Sequence, residues 1–180
     1  MTAKIAKSRA VFFDKDGTLV KDVPYNINPD LIVLNEGAAE AVQELKKAGF
    51  KIFVVSNQSG VARGFFEEKD LGAVWKKLNE LCNIEFDGFY FCPHFPAGKI
   101  AEYSFSCDCR KPAPGMILRA AREHNLDLQN SWIVGDSLKD DEAGRRAGCQ
   151  TILLGSSEKN NSDFSADNLN KAAQIILENL

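Results

Sequence analysis

A chain of 180 residues without a run of eighteen apolar residues has room for one domain and offers no membrane-spanning helix. At 44% hydrophobic and 26% charged it has the balance of a globular protein, and a domain of this size buries roughly 70% of the surface its unfolded chain exposes. The net charge of -3 is scattered, and without a basic stripe neither nucleic acid nor a membrane surface is an expected partner.

The segment before the first apolar run lacks the apolar stretch of an export signal, so a reducing cytoplasm is the expected compartment. In chain order, residues 9–13 (RAVFF) form an apolar run that stops at Asp14. Ala38, Val42 and Leu45 mark a helix that Gly49 ends. Residues 51–55 (KIFVV) form a second run, ending at Ser56. Leu71, Val74, Trp75, Leu78 and Leu81 give a second helix one apolar face, and residues 88–92 (GFYFC) run into a cysteine cluster. Pro114 suits the first turn of a third helix carrying Ile117, Ala120 and Ala121. Residues 131–135 (SWIVG) stop at Asp136, and a short helix from Asp140 to Ala147 is closed by Gly148. Residues 150–154 (QTILL) end at Gly155, 156–165 reads as a surface loop, and Leu169, Ala172, Ala173 and Ile176 outline a last helix. Short runs rich in β-branched and aromatic residues, bounded by turn signals, predict buried parallel strands.

Strands alternating with helices predict one doubly wound, Rossmann-like α/β domain over residues 1–180, with ligands at the carboxyl ends of the strands. Asp14, Ser56 and Asp136 each fall at such an end. Asp14 and Asp16 straddle Lys15 ahead of Gly17, which permits a tight turn. Two acids this close repel, so the pair calls for a shared proton or a hard cation such as Mg²⁺.

The five cysteines are an odd number, which argues against a disulfide framework in a reducing compartment. Cys92 and His94, then twelve residues, then Cys107 and Cys109 make a closed set of three thiolates and one imidazole, the donors of a structural Zn²⁺ site. Cys82 and Cys149 read as core thiols, and His124 as a surface residue near a helix end.

DKDGT after a hydrophobic strand resembles the first motif of the haloacid dehalogenase superfamily of phosphotransferases. Ser56 in VVSNQSG, Lys111 in CRKP and Asp136 in VGDSLKD follow in the order of its other signatures. The resemblance implies Asp14 as nucleophile, Asp16 as general acid and base, and Ser56 and Lys111 as groups that hold the phosphoryl oxygens. It also implies Mg²⁺ at Asp14, Asp136 and Asp16, the last through its backbone carbonyl. Asp140 has two open readings, a second acid of the metal motif or the first turn of a helix.

CPH…CDCRKPAPGM, together with SNQSGVARG, closely resembles the bacterial D-glycero-D-manno-heptose 1,7-bisphosphate phosphatases. The histidinol-phosphate phosphatases share this zinc loop. The likeness runs from about residue 9 to 155 and leaves no room between motifs for a cap domain, so the loops themselves shape the pocket. It implies substrate contacts from Asp22, Val23, Pro24 and Tyr25, from Asn57, Gln58, Ser59 and Arg63, and from Arg110 beside Lys111. Lys15, Ser56 and Ser137 stand where members of that family carry Arg, Thr and Lys. The expected partner is a small sugar phosphate bound by a monomer. A bisphosphate is favoured over histidinol phosphate, whose cationic amine Arg110 would repel. An inactive phosphate-binding scaffold is the competing reading, and the complete set of motif residues argues against it.

Overall fold

The computed structural model describes residues 6–155 and 161–180. Its strands are β1 (Ala10–Phe13), β2 (Lys51–Asn57), β3 (Gly88–Cys92), β4 (Trp132–Gly135), β5 (Gln150–Leu154) and β6 (Phe164–Ala166). Its helices are α1 (Ala38–Lys47), α2 (Leu71–Cys82), α3 (Gly115–His124), α4 (Leu138–Ala147) and α5 (Leu169–Glu178). The strands form one sheet in the order β3-β2-β1-β4-β5-β6, and every neighbouring pair is parallel.

Strand β1 shows why the apolar runs are continuous rather than alternating. Val11 and Phe13 face a core shared with α1, α2 and α5, while Ala10 and Phe12 face a core shared with α3 and α4. A strand covered on both faces must be apolar at every position. The chain order reverses direction between β1 and β4, and ligands of such sheets bind at that switch point. Asp14 leaves the end of β1 and Asp136 the end of β4, side by side.

Four expectations need correcting. Ser56 lies inside β2 rather than after it, because Ser56 and Asn57 still pair with Phe91 and Cys92 of β3. The expected loop 156–165 falls partly outside the described residues, but Phe164–Ala166 pairs with Ile152–Leu154 as a sixth strand. Three residues are too few for a visible alternation. Pro114 caps α3 instead of entering its first turn. His124 is half-buried, its ring edge-on to Phe53 with centroids 4.8 Å apart, so it is not a free surface group. Cys82 and Cys149 are core thiols, as expected. Among the described residues, no helix is long and apolar enough to cross a membrane.

Candidate active site

The loop after β1 is held by its own backbone and by one distant side chain. Gly17 N–H donates to Val20 O at 2.9 Å and Val20 N–H to Lys15 O at 3.0 Å. The Asn35 amide donates to the carbonyls of Gly17, Thr18 and Val20 at 3.0, 2.8 and 3.3 Å. Gly17 has φ +86°, and a β-carbon there would stand 2.1 Å from an Asp136 carboxylate oxygen. Glycine is required twice, for the turn and for the closeness of the two acids.

Asp14, Asp136 and Asp140 each offer an oxygen within 4.8 Å of the others. Asp140 stands in the first turn of α4, and its carboxylate also reaches the cluster. Its Oδ2 accepts from Ser137 N–H at 3.2 Å and Ser137 Oγ at 2.6 Å, which caps α4, and its Oδ1 turns to the cluster. The Asp16 carboxylate is not in the cluster. One of its oxygens pairs with the buried Lys15 ammonium, and the other accepts from Gln58 Nε2 at 3.1 Å.

Lys111 neutralises the cluster. Its Nζ lies 2.5 Å from Asp14 Oδ1 and 2.5 Å from Asp140 Oδ1, and donates to Val55 O at 2.8 Å. The residue is only 4% exposed. Burial alone would depress the ammonium, but the charges of Asp14 and Asp140 outweigh it and hold the group above its ordinary value. Burial pushes the Asp14 carboxyl up to about 7, with Lys111 opposing and Asp140 adding to the rise. Asp136 is raised as well, by burial and then by the charge of Asp140.

Asn57 is spent on positioning. Its Oδ1 accepts from Lys111 N–H and its Nδ2 donates to Lys111 O, both at 3.0 Å, which bolts the lysine backbone to the end of β2. Gln58 likewise links two groups, donating to Ser56 Oγ at 2.7 Å as well as to Asp16. Beside them opens a cleft of about 260 Å³. Of the residues expected to contact substrate, Asp22, Pro24, Tyr25, Asn57, Gln58 and Ser59 line it. Val23 is exposed next to them but is not part of the wall. Lys15, Asn26 and Gly60 also line it, and sequence reasoning did not single them out as substrate contacts. Lys15 carried a usable signal, since a lysine between paired aspartates after a buried strand has a carboxylate at hand. Arg63 stands beyond Tyr25, with its guanidinium carbon 5.8 Å from that ring.

The Cys/His set converges as its spacing predicts. The Cys92, Cys107 and Cys109 sulfurs are 3.0 to 3.4 Å apart, and His94 Nδ1 is 3.3 Å from Cys109 and 3.7 Å from Cys92. A tetrahedron with metal–ligand bonds of about 2.0–2.3 Å has edges of roughly 3.3–3.8 Å, so these donors can close on one ion with small adjustments. Arg110 leaves this loop directly and donates from Nη1 to His94 O at 3.3 Å.

A buried lysine between carboxylates at the switch point of a parallel sheet, with a second acid two residues past the first, defines a phosphatase of the haloacid dehalogenase (HAD) superfamily. A family model described as HAD-hyrolase-like matches residues 108–180. The D-glycero-beta-D-manno-heptose-1,7-bisphosphate 7-phosphatase of Yersinia pestis is 41% identical over 150 residues, 81% of this chain and 79% of that protein. The enzyme of the same name from Pasteurella multocida is 38% identical over 177 residues, 96% of this chain and 92% of its own. Among solved structures, the D,D-heptose 1,7-bisphosphate phosphatase of B. bronchiseptica, complexed with magnesium and phosphate, superposes with a TM-score of 0.83 at 28% identity. That match covers 96% of this chain and 99% of the other. The chain belongs to this family of HAD-superfamily phosphatases.

Proposed function

We propose that this enzyme removes the 7-phosphate of D-glycero-D-manno-heptose 1,7-bisphosphate by way of an aspartyl-phosphate on Asp14. The product would feed synthesis of a nucleotide-activated heptose for cell-surface polysaccharide. The observation that carries the reading is the Lys111 ammonium shared by Asp14 and Asp140 at the switch point. The names of the relatives above support the substrate.

An Asp14 oxygen attacks phosphorus as the bond from phosphorus to the C7 oxygen breaks, and protonated Asp16 gives its proton to that oxygen. The Asp16 carboxylate then takes a proton from the water that attacks the aspartyl-phosphate, which releases phosphate and frees Asp14. Ser56 and Lys111 donate to the phosphoryl oxygens, with Gln58 keeping Ser56 and Asp16 in register. The oxygen-only donor set at the cluster suits Mg²⁺, which Asp14, Asp136 and the Asp16 backbone carbonyl would hold. Bound there, Mg²⁺ would neutralise charge on the phosphoryl oxygens.

Zinc is the metal that three thiolates and an imidazole suit best. Protein purified without chelators should carry about one Zn²⁺ per chain, as a closed four-ligand site requires. Stripping it should loosen residues 92–109 and weaken substrate binding before the sheet melts. Elemental analysis that finds no tightly held zinc contradicts this assignment.

The reading has the chain act as one capless domain over residues 1–180, as a cytoplasmic monomer. Only short turns, Pro29–Leu31 and Ala101–Tyr103, interrupt the two long loops around the site, which leaves no cap among the described residues there. The five unpaired thiols suit a reducing compartment. The test of substrate class is Arg110→Ala against a panel of heptose 1,7-bisphosphate, histidinol phosphate and a simple aryl phosphate. The variant should lose more kcat/KM toward the bisphosphate than toward the aryl ester. A wild-type preference for histidinol phosphate, or an equal loss on both esters, rules the reading out.

A further inference from the structure

Two arginines share one aromatic ring beside the cleft. The Arg63 guanidinium carbon lies 4.2 Å from the centroid of Phe95, and that of Arg110 lies 5.1 Å from the same centroid. Neither makes an ion pair among the described residues. Arg63 Nε is buried without a hydrogen-bond partner, and Arg110 spends one donor on His94 O. A guanidinium has five N–H donors, so most of this capacity is unspent. Two cations brought together with no carboxylate between them repel, and the negative face of an aromatic ring offsets part of that cost.

The backbone keeps the pair together. Ala62, next to Arg63, donates to Pro93 O at 3.3 Å, and its carbonyl accepts from Lys99 and Ile100 N–H at 2.7 and 2.9 Å. The loop that carries Arg63 is therefore tied to the loop that carries Phe95 and Arg110. Phe95 N–H donates to Tyr103 O at 3.0 Å, and Phe95 follows the metal-capable His94 directly. The Phe95 carbonyl accepts from Gly98 N–H at 2.9 Å, so the backbone that carries the ring is held at both of its polar groups.

We infer that Phe95 is a positioning residue that presets Arg63 and Arg110 as a paired receptor for the second, uncleaved phosphate of the substrate. The inference deepens the functional reading above and rests on it. A dianion with several acceptor oxygens is the ligand that two under-used, forked donors match, and bidentate contacts to each guanidinium relieve their repulsion. Presetting the pair removes the cost of ordering two long side chains on binding, so its effect belongs in KM rather than in kcat.

The experiment measures KM and kcat of wild type, Phe95→Leu, Phe95→Tyr, Arg63→Gln and the F95L/R63Q double variant, on heptose 1,7-bisphosphate and on a simple aryl phosphate. Two cation–π contacts together are worth about 1–2 kcal/mol, so F95L should raise the ratio of bisphosphate to aryl KM by roughly five- to thirtyfold. F95Y keeps the ring and should restore most of that ratio. The double variant should lose less than the product of the single losses, because both act through one contact. Wild type that does not turn over the bisphosphate sinks the functional reading and this inference with it. Wild type that does, together with an unchanged ratio in F95L or an F95Y as defective as F95L, overturns the inference alone. If F95L does not fold, R63Q carries the test, and an unchanged ratio there overturns it equally.

Discussion

Asp14→Asn should lower turnover by about 10³-fold or more while the sheet stays folded, since an amide cannot attack phosphorus and loss of a nucleophile is among the costliest single changes in an enzyme. The residue is 7% exposed, at the end of a strand whose packing does not depend on its charge. The same substitution should change the pH dependence of stability. Burial raises the Asp14 carboxyl to about 7 in the metal-free chain, against an ordinary value of 3.8. A raised carboxyl favours the fold fully below its unfolded value, and that contribution is lost as pH climbs through the folded one. Metal-free wild type should therefore lose stability between about pH 4 and 7, and Asp14→Asn should flatten that slope. Mg²⁺ requires the ionised form, so its effect on the melting temperature should be larger at pH 8 than at pH 5 in wild type and reduced in the variant. Thermal melts at the two pH values with and without Mg²⁺ check both points. Turnover near the wild-type rate in Asp14→Asn removes the covalent route.

Lys111→Met should be the most destabilising change in the site. It leaves Asp14 and Asp140 close together and buried, with no cation between them. Removing one partner from a buried ion network costs about 3–5 kcal/mol. The loss should shrink as pH falls, because protonating either carboxyl relieves the repulsion, and it should shrink when Mg²⁺ is added. Activity should be lost under all of these conditions, since the phosphoryl oxygens lose a donor. Chemical denaturation of the variant in EDTA reads the stability term. A shift below about 1 kcal/mol would mean that the triad is held together by its surroundings and that Lys111 serves substrate alone.

What could be read from the sequence, and what could not, divides along physical lines. The strands were legible because a sheet covered on both faces demands unbroken apolar runs, and Asp14 and Asp136 were legible because each ends such a run. Cys92, His94, Cys107 and Cys109 were legible because thiolates and imidazole gathered in one short segment have few other uses. Strand β6 was not, since Phe164 and Ala166 flank a single polar residue and the pairing that defines them is with β5. The role of Asn57 was hidden because both of its hydrogen bonds go to a residue 54 positions away. Phe95 gave no signal for the same reason, because its importance lies in two cations that reach it from separate loops.

Phosphorus NMR of the reaction on heptose 1,7-bisphosphate tests the central claim most directly. With purified wild-type protein and Mg²⁺, the C7 phosphomonoester signal should disappear as inorganic phosphate grows, while the C1 signal persists. No such change should be seen with Asp14→Asn over the same time. Loss of the C1 signal first, or no release of phosphate from wild type while histidinol phosphate is turned over, would contradict the account.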